Sequence, residues 1–222
     1  MTQLADGIYY TVRRSDRARR VRITVEASRG VEVVLPRRAA ERDAAAAVRE
    51  LRPWIERRLR ELGAQRAAVA ARGDTVPYLG GDLRLVPEDG RTRVVQRDHT
   101  LLTPAGEART AALERWYRRM AKLEIEPRVE RAAAQLGSSY TRISIRGQKT
   151  RRGRCTAAGA LSFNWRLLLA PEAGLDYVVW HEVCHLQAMN HSPRFWSLVA
   201  AHCPDYREHA AWLRRHGGTL VL

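Results

Sequence analysis

Three features are scarce in this sequence of 222 residues: long apolar runs, cysteine and lysine. No stretch approaches the roughly 18 consecutive apolar residues of a membrane-spanning helix, which excludes such a helix. The opening residues, 1–7, lack the basic and apolar regions of a secretory signal peptide. Cys155, Cys184 and Cys203 are odd in number and show no C-x-x-C spacing, which indicates reduced thiols. We therefore predict a cytoplasmic protein that has no membrane partner.

Lysine is represented only by Lys122 and Lys149, whereas arginine is abundant. The 39 basic and 24 acidic side chains give a formal net charge of +15. A charge of this size favours an anionic partner such as nucleic acid or a nucleotide. The arginines are dispersed along the chain, however, so a general bias in composition explains the charge as well. An anionic partner is therefore one expectation beside others.

The composition, 45% apolar and 28% charged, is that of a globular protein with room for a sizeable core. Period-two or β-branched patterns predict strands at 8–12, 21–25, 31–35, 83–86, 93–95, 100–102, 142–146 and 160–164. Helical periodicity predicts helices at 40–71, 108–136, 171–189, around 195–199 and at 205–215. Pro53 makes the first of these either two helices or one bent helix. The sequence thus predicts an α+β fold, with a β-rich region that includes helices over 1–104 and a second domain over 105–222.

The second domain contains the motif His181-Glu182-Val183-Cys184-His185. Residues four apart on a helix have Cβ atoms about 5–6 Å apart, so His181 and His185 can direct two imidazoles at one ion. Glu182 lies about 60° round the helix from His185, where it reaches a water on that ion without being a ligand. His191 supplies a third nitrogen if the helix ends near Met189. Three histidines that leave one position open are typical of catalytic zinc.

The structural alternative is a helix whose two polar-face histidines bind nothing. The preceding residues, Tyr177 to Trp180, are apolar, which predicts that the motif lies on a largely buried helix. Buried imidazoles and a buried carboxylate are unfavourable without partners. One zinc ion per chain, held by His181, His185 and His191, is therefore the preferred interpretation, and Cys184 is interpreted as core packing.

The motif and the following Asn190-His191-Ser192-Pro193-Arg194-Phe195-Trp196 resemble the YgjP-like zinc metallopeptidases, relatives of SprT-like and other zincin-type proteases. Asn164-Trp165-Arg166-Leu167 resembles the family's segment before the motif helix, and Pro204-Asp205-Tyr206 resembles its tail. The resemblance covers nearly the whole chain. It implies a zincin-like domain over 105–222, with helices packed on a small mixed sheet, and a smaller β-rich N-terminal part.

One segment departs from the family pattern. The family usually shows Trp-Gly-Ser-Cys where this chain has Arg152-Gly153-Arg154-Cys155, within a basic loop at 147–155. The three proposed zinc ligands are untouched by this difference. We expect the altered loop to affect substrate choice and activity itself. Arg152 and Arg154 are therefore candidate substrate-binding residues.

The preferred function is peptide hydrolysis, in which a zinc-bound water attacks the carbonyl and Glu182 acts as general base. We expect an extended peptide to pair with the strand around 161–163, and Tyr206 or Asn164 to stabilise the oxyanion. Other interpretations remain open. The same site would hydrolyse nucleotide phosphoanhydrides if the arginines at 151–154 hold phosphate. A nucleic-acid-associated protease or binding protein, and a site with a distant glutamate as third ligand, are weaker alternatives.

Overall fold

The computed structural model describes residues 2–26, 29–148 and 151–222. Its strands are β1 (Thr2–Ala5), β2 (Ile8–Ser15), β3 (Arg22–Glu26), β4 (Gly30–Pro36), β5 (Thr75–Tyr78), β6 (Gly81–Glu88), β7 (Val95–Arg97), β8 (Thr100–Pro104), β9 (Arg142–Arg146), β10 (Gly153–Cys155) and β11 (Ala160–Asn164). Its α-helices are α1 (Glu41–Glu50), α2 (Arg52–Ala70), α3 (Ala108–Leu136), α4 (Glu172–Cys184), α5 (Pro193–His202) and α6 (Tyr206–His216). Single 3₁₀ turns occur at Trp165–Leu169 and Gly217–Thr219. The predicted α+β class is confirmed.

The chain divides into two compact units, residues 1–71 and 72–222. In the first unit, one sheet has the strand order β1-β2-β4-β3, in which β2 and β4 run parallel and the other neighbours antiparallel. Helix α1 packs on β1 and β4, and α2 packs on β3. Pro53 lies in the first turn of α2, where its missing N–H is not needed, so the segment 40–71 is two helices.

The second unit is built around α3. This helix packs against α4, β8, β9 and the 3₁₀ turn at Trp165–Leu169, and its buried Trp116 and Tyr117 share a core with Trp165. Pro127 lies inside the helix, and Gly137 ends it with a φ of 63°, a left-handed conformation that favours glycine. One sheet has the order β5-β6-β8-β7, and the other has the order β10-β11-β9. Because α3 supports α4, it sets the position of the histidine motif.

The division at 71/72 differs from the boundary that the sequence suggested between 104 and 105. The strands β5 to β8 belong with the C-terminal unit because their apolar side chains are buried in the same core as α3. Val76, Leu83, Leu101 and Trp116 are all members of that core.

Near the motif, two predicted boundaries were wrong. Residues 153–155, expected in a loop, form β10, which pairs antiparallel with β11. Helix α4 ends at Cys184, well before Met189. The last turn tightens there, because the N–H groups of Leu186 and Gln187 donate to carbonyls three residues earlier. Lys149 and Thr150, within the predicted loop 147–155, lie outside the described residues.

The expectation that a peptide adds to the strand around 161–163 was also wrong. These residues belong to β11, which is the central strand of its sheet and is paired on both sides, with β10 and with β9. A strand whose two edges are paired has no free backbone groups to accept another strand. Separately, no helix within residues 2–26, 29–148 and 151–222 has both the length and the apolarity needed to cross a bilayer.

Candidate metal centre

Helix α4 places His181, Glu182 and His185 in the second unit, the last at the helix C-cap. Apolar residues of the same helix, among them Val178, Val179 and Val183, are buried in the core and hold α4 in place. Glu182 and His185 are themselves buried, with 6% and 8% of their surface exposed. The polar groups of the motif therefore lie in a site that is largely shielded from water.

His191 reaches the same site from the segment between α4 and α5. Its Nε2 lies 3.1 Å from Nε2 of His181. The candidate ligand atoms of His181, His185 and His191 all lie within 4.8 Å of one another. Three nitrogens at about 2.0–2.1 Å from a tetrahedral zinc are spaced by roughly 3.3 Å, so a cluster of this size suits such an ion. The structure therefore brings together the three residues that the sequence singled out as ligands.

The hydrogen bonds of the imidazoles leave their other ring nitrogens available. Nδ1 of His185 lies 3.0 Å from the carbonyl oxygen of Ala188, and a carbonyl can only accept, so Nδ1 carries the proton. In the neutral ring Nε2 then presents a lone pair. Nδ1 of His181 lies 3.4 Å from the hydroxyl of Tyr177. Oxygen partners of this kind commonly orient histidines that bind metals. The residues present therefore fit a zinc ion.

Burial favours the neutral form of two of these imidazoles, His181 and His185. Burial is the largest of the effects that lower the pKa of His181 to about 4, and the neighbouring His185 and His191 contribute to the same shift. Burial also lowers the pKa of His185. A neutral imidazole is the form that binds a metal. At neutral pH these two side chains are therefore in the form that binds a cation.

Aromatic side chains from α5 fix the three rings. Phe195, which is fully buried, stacks on His185 with ring centroids 4.4 Å apart and meets the other two histidines edge-on. Trp196 stacks on His191 at 5.5 Å. The sequence indicated an apolar helix here, but it gave no sign that its aromatic residues hold the histidines.

Glu182 lies against β10. The backbone N–H of Cys155 donates a hydrogen bond to its carboxylate, which lowers its pKa, but burial has the larger effect and raises that pKa to about 7. Gly153 leaves the space for the carboxylate, because a Cβ there would lie 2.5 Å from Glu182 Oε1. Neither contact was predicted from the sequence. The only available signal was the retention of glycine and cysteine in the otherwise altered Arg152-Gly153-Arg154-Cys155 segment.

A cleft of about 210 Å³ opens at Glu182 and His181. Its remaining lining residues are Arg151, Arg152, Gly153, Tyr177, Val178, Ala210 and Leu213. Of the two arginines predicted to contact substrate, Arg152 therefore lies in the cleft. Arg154 is exposed and is not among the cleft residues.

The two oxyanion candidates differ in their surroundings. Asn164 is buried, and its Nδ2 donates to the carbonyls of Gln148 and Arg151 while its Oδ1 accepts from the N–H of Arg166. Its amide is engaged in holding the loop before β10. Tyr206 is partly exposed, stacks on Trp196 with centroids 5.2 Å apart, and accepts a hydrogen bond from Arg207 at its hydroxyl. Cys184 is fully buried in the core, outside the histidine cluster.

Comparison with known families identifies the class. The sequence model of the YgjP-like metallopeptidase domain matches residues 19–216. The protein therefore carries a metallopeptidase domain of α+β architecture, and it falls among the hydrolases. Because the match spans most of the chain, the protein belongs to the YgjP-like metallopeptidase family, as its motif predicted.

Among solved structures, the crystal structure of the metallopeptidase zymogen of Pyrococcus abyssi abylysin is similar to this chain at 26% identity. The likeness covers 41% of this chain and 93% of that chain, with a TM-score of 0.37. No curated protein sequence matches significantly.

Proposed function

We propose that this protein is a zinc-dependent peptidase in which His181, His185 and His191 hold the metal and Glu182 acts as general base. The observation that carries the proposal is the convergence of three imidazoles, with ligand atoms within 4.8 Å, beside a buried carboxyl at the mouth of a cleft. Membership of a metallopeptidase family supports the reaction class.

Zinc at this position would polarise a carbonyl and acidify a water, the two effects that peptide hydrolysis requires. Glu182 supplies the proton acceptor. Its carboxylate is held by the N–H of Cys155, and one side of it faces the cleft. From there it takes a proton from the attacking water and delivers it to the leaving amine. Burial keeps bulk water away from this transfer.

An extended peptide would bind along β10, one of the two edge strands of its sheet. Two backbone hydrogen bonds flank β10 and set its pairing with β11. Asn164 N–H donates to Arg152 O, and Thr156 N–H donates to Ala160 O. Backbone hydrogen-bonding groups alternate in direction along an antiparallel pair. The N–H and C=O of Arg154 therefore point toward β11, and those of Gly153 and Cys155 point toward the unpaired edge. The peptide backbone would meet Gly153 next to Glu182. Tyr206, whose side chain is less committed than that of Asn164, would stabilise the oxyanion.

The variant Glu182→Gln separates metal binding from catalysis. We expect it to retain zinc and to lose roughly 100-fold or more of the peptide hydrolysis measured on a mixed peptide library, since general-base catalysis contributes about 10²–10⁴-fold. Glu130→Gln, an exposed change of the same kind on α3, is the matched control and should keep full activity. Full activity in Glu182→Gln would refute the role of Glu182.

Hydrolysis of nucleotide phosphoanhydrides is the second candidate. The observation in its favour is that Arg151 and Arg152 both line the cleft beside Glu182, where guanidinium groups can bind phosphate. Zinc-dependent release of phosphate or pyrophosphate from nucleotides, abolished in Glu182→Gln, would establish this activity. Its absence alongside peptide cleavage would dismiss it.

A further inference from the structure

We propose that Arg152 selects substrates that place a carboxylate in the cleft beside the scissile peptide bond. The carboxylate is either the side chain of an aspartate or glutamate or the free C-terminus of the peptide. This inference rests on the proposed peptidase function, and it adds a substrate preference that the metal ligands and Glu182 do not determine.

Arg152 lies beside the groups proposed for catalysis. The residue precedes β10 and lines the same cleft as Glu182 and His181, and its guanidinium contacts Leu213, another residue of that cleft. A group bound by the guanidinium would therefore belong to a residue that flanks the bond under attack. Arg154, two positions further along, carries the same charge but is exposed and does not line the cleft.

The side chain of Arg152 is held in place by α6. Its Nη2 donates a hydrogen bond to the carbonyl of Leu213 in α6. Gly217 leaves room for it, because a Cβ at that position would overlap Nη2. A guanidinium held at one end has less freedom to lose when it binds an anion, which favours binding.

The charge of Arg152 has no counterion among the described residues. Within the part of the chain that the structure describes, no ion pair joins Arg152 to a carboxylate, whereas Arg128 pairs with Glu124, Glu172 and Asp176. Arg152 is partly buried, and this burial lowers its pKa because the charged form loses hydration. A partly desolvated cation without a counterion is stabilised by an anionic ligand.

The cleft matches a carboxylate-bearing side chain in shape and polarity. A guanidinium binds a carboxylate through two parallel hydrogen bonds, and this interaction strengthens where water is excluded. Val178, Ala210 and Leu213 give the cleft apolar walls. The cleft therefore suits an aliphatic stem that ends in a carboxylate.

The cleavage test uses a mixture of peptides digested by the purified protein, with cleavage sites read by mass spectrometry. We expect acidic residues to be enriched at one position next to the cleaved bond, or cleavage to occur beside a free C-terminus. In Arg152→Gln this preference should fall at least about tenfold, as expected for loss of a hydrogen bond to a charged group. Arg154→Gln should retain it, and Arg152→Lys should retain part of it.

Paired synthetic peptides distinguish the two sources of the carboxylate. One set carries glutamate or glutamine beside the cleaved bond with an amidated C-terminus, and the other has neutral side chains with a free or an amidated C-terminus. Selection of the glutamate peptide identifies a side-chain site, and selection of the free C-terminus identifies a terminal one. Equal cleavage within both pairs, or a preference unchanged in Arg152→Gln, would overturn the proposal.

A binding measurement keeps the test independent of catalysis. We expect the wild-type protein to bind glutarate at least about tenfold more tightly than glutaramide, and Arg152→Gln to lose this difference while Arg154→Gln keeps it. Thermal melting of each variant checks that it is folded. If no peptide is cleaved yet Arg152-dependent binding persists, the proposed peptidase function fails and the carboxylate site stands. Equal binding of both probes by the wild type would refute the site itself.

Discussion

Among single residues, Gly153 has the most direct influence on the proposed general base. A Cβ on this residue would lie 2.5, 2.6 and 2.8 Å from Oε1, Cγ and Cδ of Glu182. Contacts this short require one of the two groups to move. Since the Cys155 N–H fixes the carboxylate from the same strand, any movement changes the direction in which Glu182 presents its oxygens.

We therefore expect Gly153→Ala to reduce peptide hydrolysis by roughly 10- to 100-fold while zinc content stays at the wild-type value, because small misplacements of a catalytic group have effects of this order. Activity and metal content measured on the same preparation check this. Gly63→Ala is the matched control, because nothing lies within 4 Å of a Cβ at that helical position. Unaltered activity in Gly153→Ala would show that Glu182 tolerates displacement.

Glu182 and His181 have opposite effects on the pH dependence of stability in the metal-free protein. The pKa of Glu182 rises from 4.5 to about 7, so the folded state holds a proton that the unfolded state has lost, and stability falls as pH rises through this range. The pKa of His181 falls from 6.5 to about 4, so the unfolded state holds the extra proton, and stability rises with pH. Between pH 4.5 and 6.5 the two contributions oppose each other.

The variant Glu182→Gln removes one of these contributions. With a chelator present, we expect its free energy of unfolding to rise from pH 4.5 to 6.5 more steeply than that of the wild type. Urea denaturation of both proteins at the two pH values gives the comparison. Parallel pH profiles would mean that Glu182 titrates in the folded protein as it does in the unfolded chain.

Among secondary-structure elements, β10 depends on the loop that precedes it. Asn164, at the end of β11, donates to the carbonyls of Gln148 and Arg151, and so ties this loop to the sheet. Both carbonyls would lose their partner in Asn164→Ala. We expect a loss of about 1–3 kcal/mol in the free energy of unfolding, measured by denaturant titration, with zinc still bound. Wild-type stability combined with lost hydrolysis would instead favour the oxyanion role that the sequence suggested.

Sequence patterns predict α3 and α4 but not β10. Helices α3 and α4 were predictable because long apolar stripes and a well-placed Gly137 or Pro171 mark them. Strand β10 was not predictable, since its three residues, Gly-Arg-Cys, carry no alternating pattern. They pair only because β11 lies beside them. The early end of α4 was also missed, because neither glycine nor proline follows Cys184 directly.

For the molecule as a whole, the proposed site lies entirely within residues 72–222. The three histidines could be grouped from sequence because they are close along the chain, and their ligand role stays a prediction that the geometry supports. The contacts of Glu182 with Gly153 and Cys155 could not be predicted from the sequence, because only the packing of α4 on β10 brings these distant segments together. The same reasoning applies to Arg152, whose position in the cleft depends on α6.

The most direct test of the central claim is the metal content of the purified protein, prepared without added zinc or chelator and measured by elemental analysis. We predict close to one zinc per chain in the wild type and a marked loss in His185→Ala, with His209→Ala, a partly exposed histidine of α6 outside the cluster, unchanged. Wild-type protein that contains no zinc and takes up none on titration would contradict the account.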